Sequence, residues 1–175
     1  MSAFLLILLG LPGSGKTTLA QALVPVLEAV HLSSDRIRRQ LGQRGQYGQA
    51  DKDRVYAQMA ERAAEALVQG KPVVADATFA QAAHRSQLVE AAQQAACPIY
   101  VVYLQVPEAV VQQRLQADRP ESEADFAVYQ QVKAQFAPID QPHLILDTHR
   151  HPLPQQIDVV KRYLQHGHPT PPAAD

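Results

Sequence analysis

Residues 4–17 read Phe4-Leu5-Leu6-Ile7-Leu8-Leu9-Gly10-Leu11-Pro12-Gly13-Ser14-Gly15-Lys16-Thr17. The first six residues form a short apolar run of the length expected for a strand buried on both faces. The next eight match G-x-x-x-x-G-K-T, a phosphate-binding loop. Leu19, Leu23 and Leu27 then recur at helical spacing. Strand, glycine-rich loop and helix in that order form the context in which the motif carries its chemistry. Gly13 and Gly15 permit backbone angles that turn successive N–H groups inward around phosphate oxygens. The following helix presents its positive dipole end to the same anion. Gly10, Gly13, Ser14, Gly15, Lys16, Thr17 and Thr18 are therefore expected to cradle the phosphates of a nucleoside triphosphate. Lys16 supplies a point charge to the β- and γ-phosphates, and the Thr17 hydroxyl is a ligand for Mg²⁺.

The chain has 175 residues, enough for one domain with a substantial core. Residues 1–166 are expected to form that domain, with 167–175, rich in Pro and His, as a flexible tail. Apolar residues make up 46% and charged residues 19%, with a net charge of −1, so no basic surface for a long nucleic-acid footprint is expected. Cys97 is the sole cysteine, which removes disulfide frameworks and thiolate metal clusters from consideration. It precedes an apolar segment, so inert burial is expected. The apolar N-terminus has no basic leader and runs into the glycine-rich loop, and no stretch has the length of a membrane span. A cytoplasmic protein is expected.

Apolar and helical segments alternate along the rest of the chain. Val30-His31-Leu32 reads as a second strand, and Ser33-Ser34-Asp35 offers capping oxygens for a short helix to about Leu41. Residues 42–48 read as a loop. Val55, Met59, Ala63 and Leu67 share one helical face, and Gly70 ends that helix. Val73-Val74-Ala75 reads as a strand, residues 82–95 as a helix and residues 99–104 as a strand. Pro107 suits the first turn of a helix reaching about Asp118. A helix through Phe136, the strand Leu144-Ile145-Leu146 and a helix marked by Leu153, Ile157, Val160 and Leu164 complete the pattern. Apolar strands alternating with helices predict a parallel sheet covered on both faces, with apolar residues throughout the strands.

Ligands in such sheets bind beyond the carboxyl ends of the strands. That rule selects Ser33, Ser34 and Asp35 after the second strand, Asp76 and Thr78 after the third, and Asp147 to Arg150 after the last. Asp35 is either a helix cap or the carboxylate that accepts a hydroxyl proton in phosphoryl transfer. Arg38, on the same helical face, either holds an anionic acceptor or pairs with Asp35. Asp76 suits an acidic partner of hydrated Mg²⁺. Arg85 either contacts the acceptor or lies on a helix surface. Arg114 and Arg119, beside Pro120, suit a lid that brings cationic charge over the triphosphate. The pairs His149/His151 and His166/His168 lack the neighbours of a known metal pattern.

The phosphate loop, Ser34-Asp35-Arg36-Ile37-Arg38, the stretch Val73-Val74-Ala75-Asp76-Ala77-Thr78 with Arg85 downstream, and Val102-Tyr103-Leu104 with Pro107, Arg114 and Arg119 occur in order. Together they resemble the zeta-toxin/polynucleotide-kinase-like P-loop kinases over about residues 3–150. The resemblance implies a three-layer P-loop NTPase fold: a five-stranded parallel sheet in the order 2-3-1-4-5, helices on both faces and a short lid. It also implies Asp35 as general base, Arg38 as the ligand of an acceptor phosphate, and Arg114 and Arg119 as lid arginines. The expected function is Mg²⁺-dependent transfer of the ATP γ-phosphate to a hydroxyl of a small molecule or of a nucleic-acid 5′ end. The other reading is a nucleotide-dependent ATPase or switch acting on a partner protein. Neither the acceptor nor a preference for ATP over GTP is written in a readable motif.

Overall fold

The computed structural model describes residues 2–43, 45, 47–118 and 123–167, with the backbone alone described for 114–118 and 123–125. Five strands, β1 (Leu5–Leu9), β2 (Val30–Ser33), β3 (Val73–Asp76), β4 (Ile99–Gln105) and β5 (Leu144–Asp147), form one sheet in the order β2-β3-β1-β4-β5. All four pairings are parallel. The helices are α1 (Lys16–Leu27), α2 (Ser34–Gln40), α3 (Gln49–Val68), α4 (Ala82–Gln94), α5 (Glu108–Asp118), α6 (Glu123–Ala134) and α7 (Leu153–His166). This is a parallel α/β sheet with a core on each face, in the strand order expected from the sequence.

Side chains of β1 alternate between two cores. Leu5, Ile7 and Leu9 join Val55, Met59 and Ala63 of α3 and Leu88 of α4 on one face. Leu6 and Leu8 join Leu19 and Leu23 of α1 and Val160 of α7 on the other. Every β1 side chain is buried, which is why the strand reads as an unbroken apolar run rather than an alternating one. Burying a leucine contributes roughly 1.5–3 kcal/mol, so this central strand is the anchor of both layers.

The two-sided cover of the strands thins at the β5 edge. β5 has one neighbour, and its Ile145 is 55% exposed. β2, at the other edge, carries His31. Several boundaries also move by one or two residues. Asp76 completes β3, α3 begins at Gln49, and α6 ends at Ala134 rather than Phe136. Pro107 lies just outside α5, where its carbonyl accepts the N–H groups of Val110 and Val111. Gly70 ends α3 as expected: with φ +76° it lets Lys71 N–H bond back to Ala66 O.

The register sets the site. Ser33, Asp76 and Leu8 lie side by side across β2, β3 and β1, so these three strands end at one level. The loops that follow them converge above the carboxyl edge of the sheet.

Candidate active site

The phosphate loop leaves β1 through Gly10, whose backbone lies against β4. A Cβ there would stand 2.5 Å from the Leu104 carbonyl oxygen, so the close approach of loop and strand requires glycine. Gly15 sits at φ +89° immediately before α1 and opens the backbone for the helix start. The loop is braced from the far edge of the sheet: the buried Thr148, just after β5, donates its hydroxyl to Ser14 O at 2.7 Å.

Lys16 folds back along this loop. Its Nζ donates to Leu11 O at 2.9 Å and to Ser14 Oγ at 3.4 Å. Burial lowers its pKa to about 8, although the carboxylates of Asp76 and Asp35 pull in the other direction. The Thr17 hydroxyl donates to Asp76 Oδ1 at 3.2 Å, while His31 Nε2 stands 2.6 Å from Asp76 Oδ2. Asp76 is 3% exposed and engaged by side chains of α1 and β2, so it caps no helix. A hydroxyl and a carboxylate at the start of α1 form the hard-oxygen donor set that suits Mg²⁺.

Lys16, Thr17, Asp76 and Asp35 border one cleft of about 530 Å³, which Gly13, Gly15 and Thr18 also line. Asp35 is exposed there in the first turn of α2. The cap position belongs to Ser33, which makes no side-chain capping bond, so the capping role considered for Asp35 is excluded. Arg38, one turn on, is buried in the cleft wall, with its guanidinium carbon 4.7 Å from the centroid of the exposed Tyr47 ring. The geometry suits a cation–π contact.

The cleft is also lined by groups that the sequence reading did not select. Lys52 of α3 lines the cleft, as do Tyr56, Gln81 and His84. The His84 ring stacks on Tyr56 at 4.0 Å, and its Nε2 is 2.7 Å from Asp53 Oδ1. Hydrogen bonds from His84 and Gln49 hold the Asp53 carboxyl below its usual value. Burial pushes the Tyr56 phenol up to about 12, and its oxygen accepts the Phe79 N–H at 3.2 Å. Phe79 is fully buried at φ +51°, a costly backbone state for a bulky residue. Val128 and Val132, one turn apart on α6, complete the cleft, with Val128 53% exposed. Lys52, His84 and Tyr56 lie on faces whose spacing reads simply as amphipathic helix, so no local motif marks them.

Arg85 is not a surface residue, and it does not line the cleft. It is 2% exposed, donates to Phe79 O at 2.8 Å through Nη1, and reaches Pro138 O through Nη2. Its charge fastens the loop after β3 to the segment after α6, where Ala137 N–H also bonds Ala80 O. Asp147 accepts the N–H groups of His149 and Arg150 and so forms the turn after β5. Cys97 is buried, and burial raises its thiol pKa, as the inert reading expects. The Arg114 side chain, all of Arg119 and His168 lie outside the described residues. Among the described residues no group of three or more His, Cys, Asp or Glu forms a metal cluster, and no helix is long and apolar enough to cross a membrane.

Comparison with known proteins agrees with this architecture. A family described as "AAA domain" (AAA_33) matches residues 5–139. No curated protein matches the chain. Among solved structures, the Mycobacterium tuberculosis APS kinase in complex with AMPPNP and APS is 19% identical, with a TM-score of 0.75 and coverage of 94% of this chain and 98% of that one. A gluconokinase from Sinorhizobium meliloti 1021 is 17% identical, with a TM-score of 0.68 over 93% and 97% of the two chains. A sugar kinase from Janibacter sp. HTCC2649 is 20% identical, with a TM-score of 0.73 over 93% and 95%. The chain belongs to the AAA domain family and shares its fold with these P-loop kinases.

Proposed function

For this member of the AAA domain family we propose phosphoryl transfer from ATP to the hydroxyl of an acceptor that carries an anionic group. The observation that carries this reading is the single cleft bordered by Lys16, by Thr17 with Asp76, and by Asp35. A bare ATPase has no need of a further carboxylate and a basic pair, Arg38 and Lys52, lining the cleft beside the phosphate loop. An alcohol acceptor needs both, one to take its proton and one to hold it in line.

Lys16 leaves its loop carbonyl and binds the β- and γ-phosphates. Thr17 and, through water, Asp76 would hold Mg²⁺, which supplies positive charge beside the phosphates. Asp35 accepts the hydroxyl proton of the acceptor and orients the oxygen toward the γ-phosphorus. Arg38 and Lys52 engage the acceptor's anionic group, a geometry that fits a phosphorylated or carboxylated alcohol. Val128 and Val132 cover the cleft and exclude water that would compete as acceptor. The resemblance implies that Arg114 and Arg119 supply cationic charge to the triphosphate. Residues 1–166 act together as one catalytic domain. The resemblance to the zeta-toxin and polynucleotide kinases supports Asp35 and Arg38 in these roles. The structures of APS kinase and gluconokinase support a small-molecule acceptor.

The test is transfer of label from γ-labelled ATP with Mg²⁺, using 5′-hydroxyl oligonucleotides, phosphorylated alcohols and sugar acids as parallel acceptors. A labelled phosphorylated or carboxylated alcohol supports the reading. Release of free phosphate alone, undiminished by Asp35→Asn, supports a nucleotide-driven switch instead.

A further inference from the structure

β2 is an edge strand whose side chains alternate between the two sheet faces. Val30 and Leu32 face the core that contains α3, so His31 and Ser33 face α1. The neighbouring positions on the α1 face are Val74 of β3 and leucines of β1 and α1. An imidazole there breaks the apolar pattern, and its side chain is 8% exposed. Polar residues that break a buried pattern need a partner, and they concentrate where function requires them.

His31 pairs with Val74 in the ladder, while Asp76 pairs with Ser33, so the imidazole reaches two register positions along the sheet to the carboxylate. The two Asp76 oxygens then have different donors. Oδ2 takes His31 Nε2–H at 2.6 Å, and Oδ1 takes the Thr17 hydroxyl at 3.2 Å. The imidazole bond fixes the plane of the carboxylate and keeps Oδ1 aimed at the start of α1. Without it, the attraction of Lys16, which Asp76 already influences, is free to turn the carboxylate toward the ammonium.

We propose that His31 is a positioning residue for the magnesium–nucleotide site: held beside Asp76 at 2.6 Å, it aims the carboxylate at Thr17 and sets how strongly Mg²⁺ tightens nucleotide binding. Outer partners of this kind are worth about 10–100-fold in metal affinity at other sites. The inference rests on the phosphate-binding reading above and adds a residue that contacts neither phosphate nor acceptor.

The experiment is calorimetric titration of AMPPNP into the wild type, His31→Leu and His31→Gln, each in excess Mg²⁺ and again in EDTA. The amide of His31→Gln keeps an N–H donor at comparable reach. The wild type binds more tightly in Mg²⁺. His31→Leu loses about tenfold or more of that tightening, His31→Gln keeps most of it, and all three have equal affinity in EDTA. Should His31→Leu fail to fold, His31→Asn, polar but too short to reach Asp76, takes its place. Undiminished Mg²⁺ tightening in the Leu or Asn variant overturns the role of His31. A loss of equal size in EDTA also overturns it, because the effect then lies in the loop itself. A wild type with no Mg²⁺ tightening overturns the magnesium–nucleotide reading, and this inference with it.

Discussion

The Thr148 hydroxyl donates to the Ser14 carbonyl at 2.7 Å and joins the turn after the last strand to the phosphate loop after the first. Both residues are buried, and the bond ties the loop to the turn after the edge strand β5. Thr148→Val keeps the shape and removes the donor, leaving a buried carbonyl short of its partner. The expected cost is about 1–3 kcal/mol of stability, read by urea unfolding, with a severalfold weaker affinity for AMPPNP. An unchanged midpoint would make the bond incidental.

Arg85 tests a different kind of support. Its guanidinium satisfies the carbonyls of Phe79 and Pro138 and fixes the wall that carries His84 and Gln81. Arg85→Met should destabilise the protein by roughly 3 kcal/mol, because two carbonyls lose a charged donor. Below its melting temperature the variant should still bind AMPPNP. A variant with wild-type stability and a raised acceptor KM would instead make Arg85 an acceptor ligand.

The pH dependence of nucleotide binding follows from Lys16, whose pKa in the free protein is lowered to about 8. Bound phosphates favour the charged ammonium, so binding takes up a proton once the free lysine is neutral. Affinity for AMPPNP should be level below pH 8 and fall above it, by up to about tenfold per pH unit. Lys16→Arg stays charged and should give a flat profile. The same shift acts on folding with the opposite sign: between pH 8 and the ordinary lysine value the unfolded chain binds more protons, so this group's contribution to stability rises with pH. A wild-type affinity that is level from pH 7 to 10 would contradict the assignment.

Lys52 lines the same cleft as the phosphate loop. Lys52→Met should raise the KM for the acceptor about tenfold or more while leaving AMPPNP affinity unchanged, as expected for loss of a charged contact of about 1.5–3 kcal/mol. Equal losses for both ligands would place the lysine on the nucleotide instead.

The legible part of this chain is the part governed by local rules. β1, the glycine loop and α1 could be read because strand burial, positive backbone angles and the Lys-Thr pair all fall within fourteen consecutive residues. Asp35 and Asp76 could be placed at one cleft because Asp35 follows β2 and Asp76 ends β3, and the sheet brings those strand ends to one level. Arg85 was open to misreading because its partners are carbonyls of Phe79 and Pro138, and backbone acceptors leave no signature in a sequence. His31 looked like part of an apolar strand, since its significance depends on the β2–β3 register. Tyr56 and His84 become one stacked unit only when α3 and α4 pack side by side. Ile145 was expected to be buried because edge and centre strands share the same short apolar pattern.

The central claim is that Asp35 serves the acceptor and leaves nucleotide binding to the loop. The most direct measurement compares Asp35→Asn with the wild type in AMPPNP affinity and in transfer of labelled γ-phosphate to the productive acceptor. The account predicts unchanged affinity, within about twofold, and a loss of transfer of about 10²–10⁴-fold, the usual contribution of a positioned general base. Near-normal transfer by Asp35→Asn would contradict it.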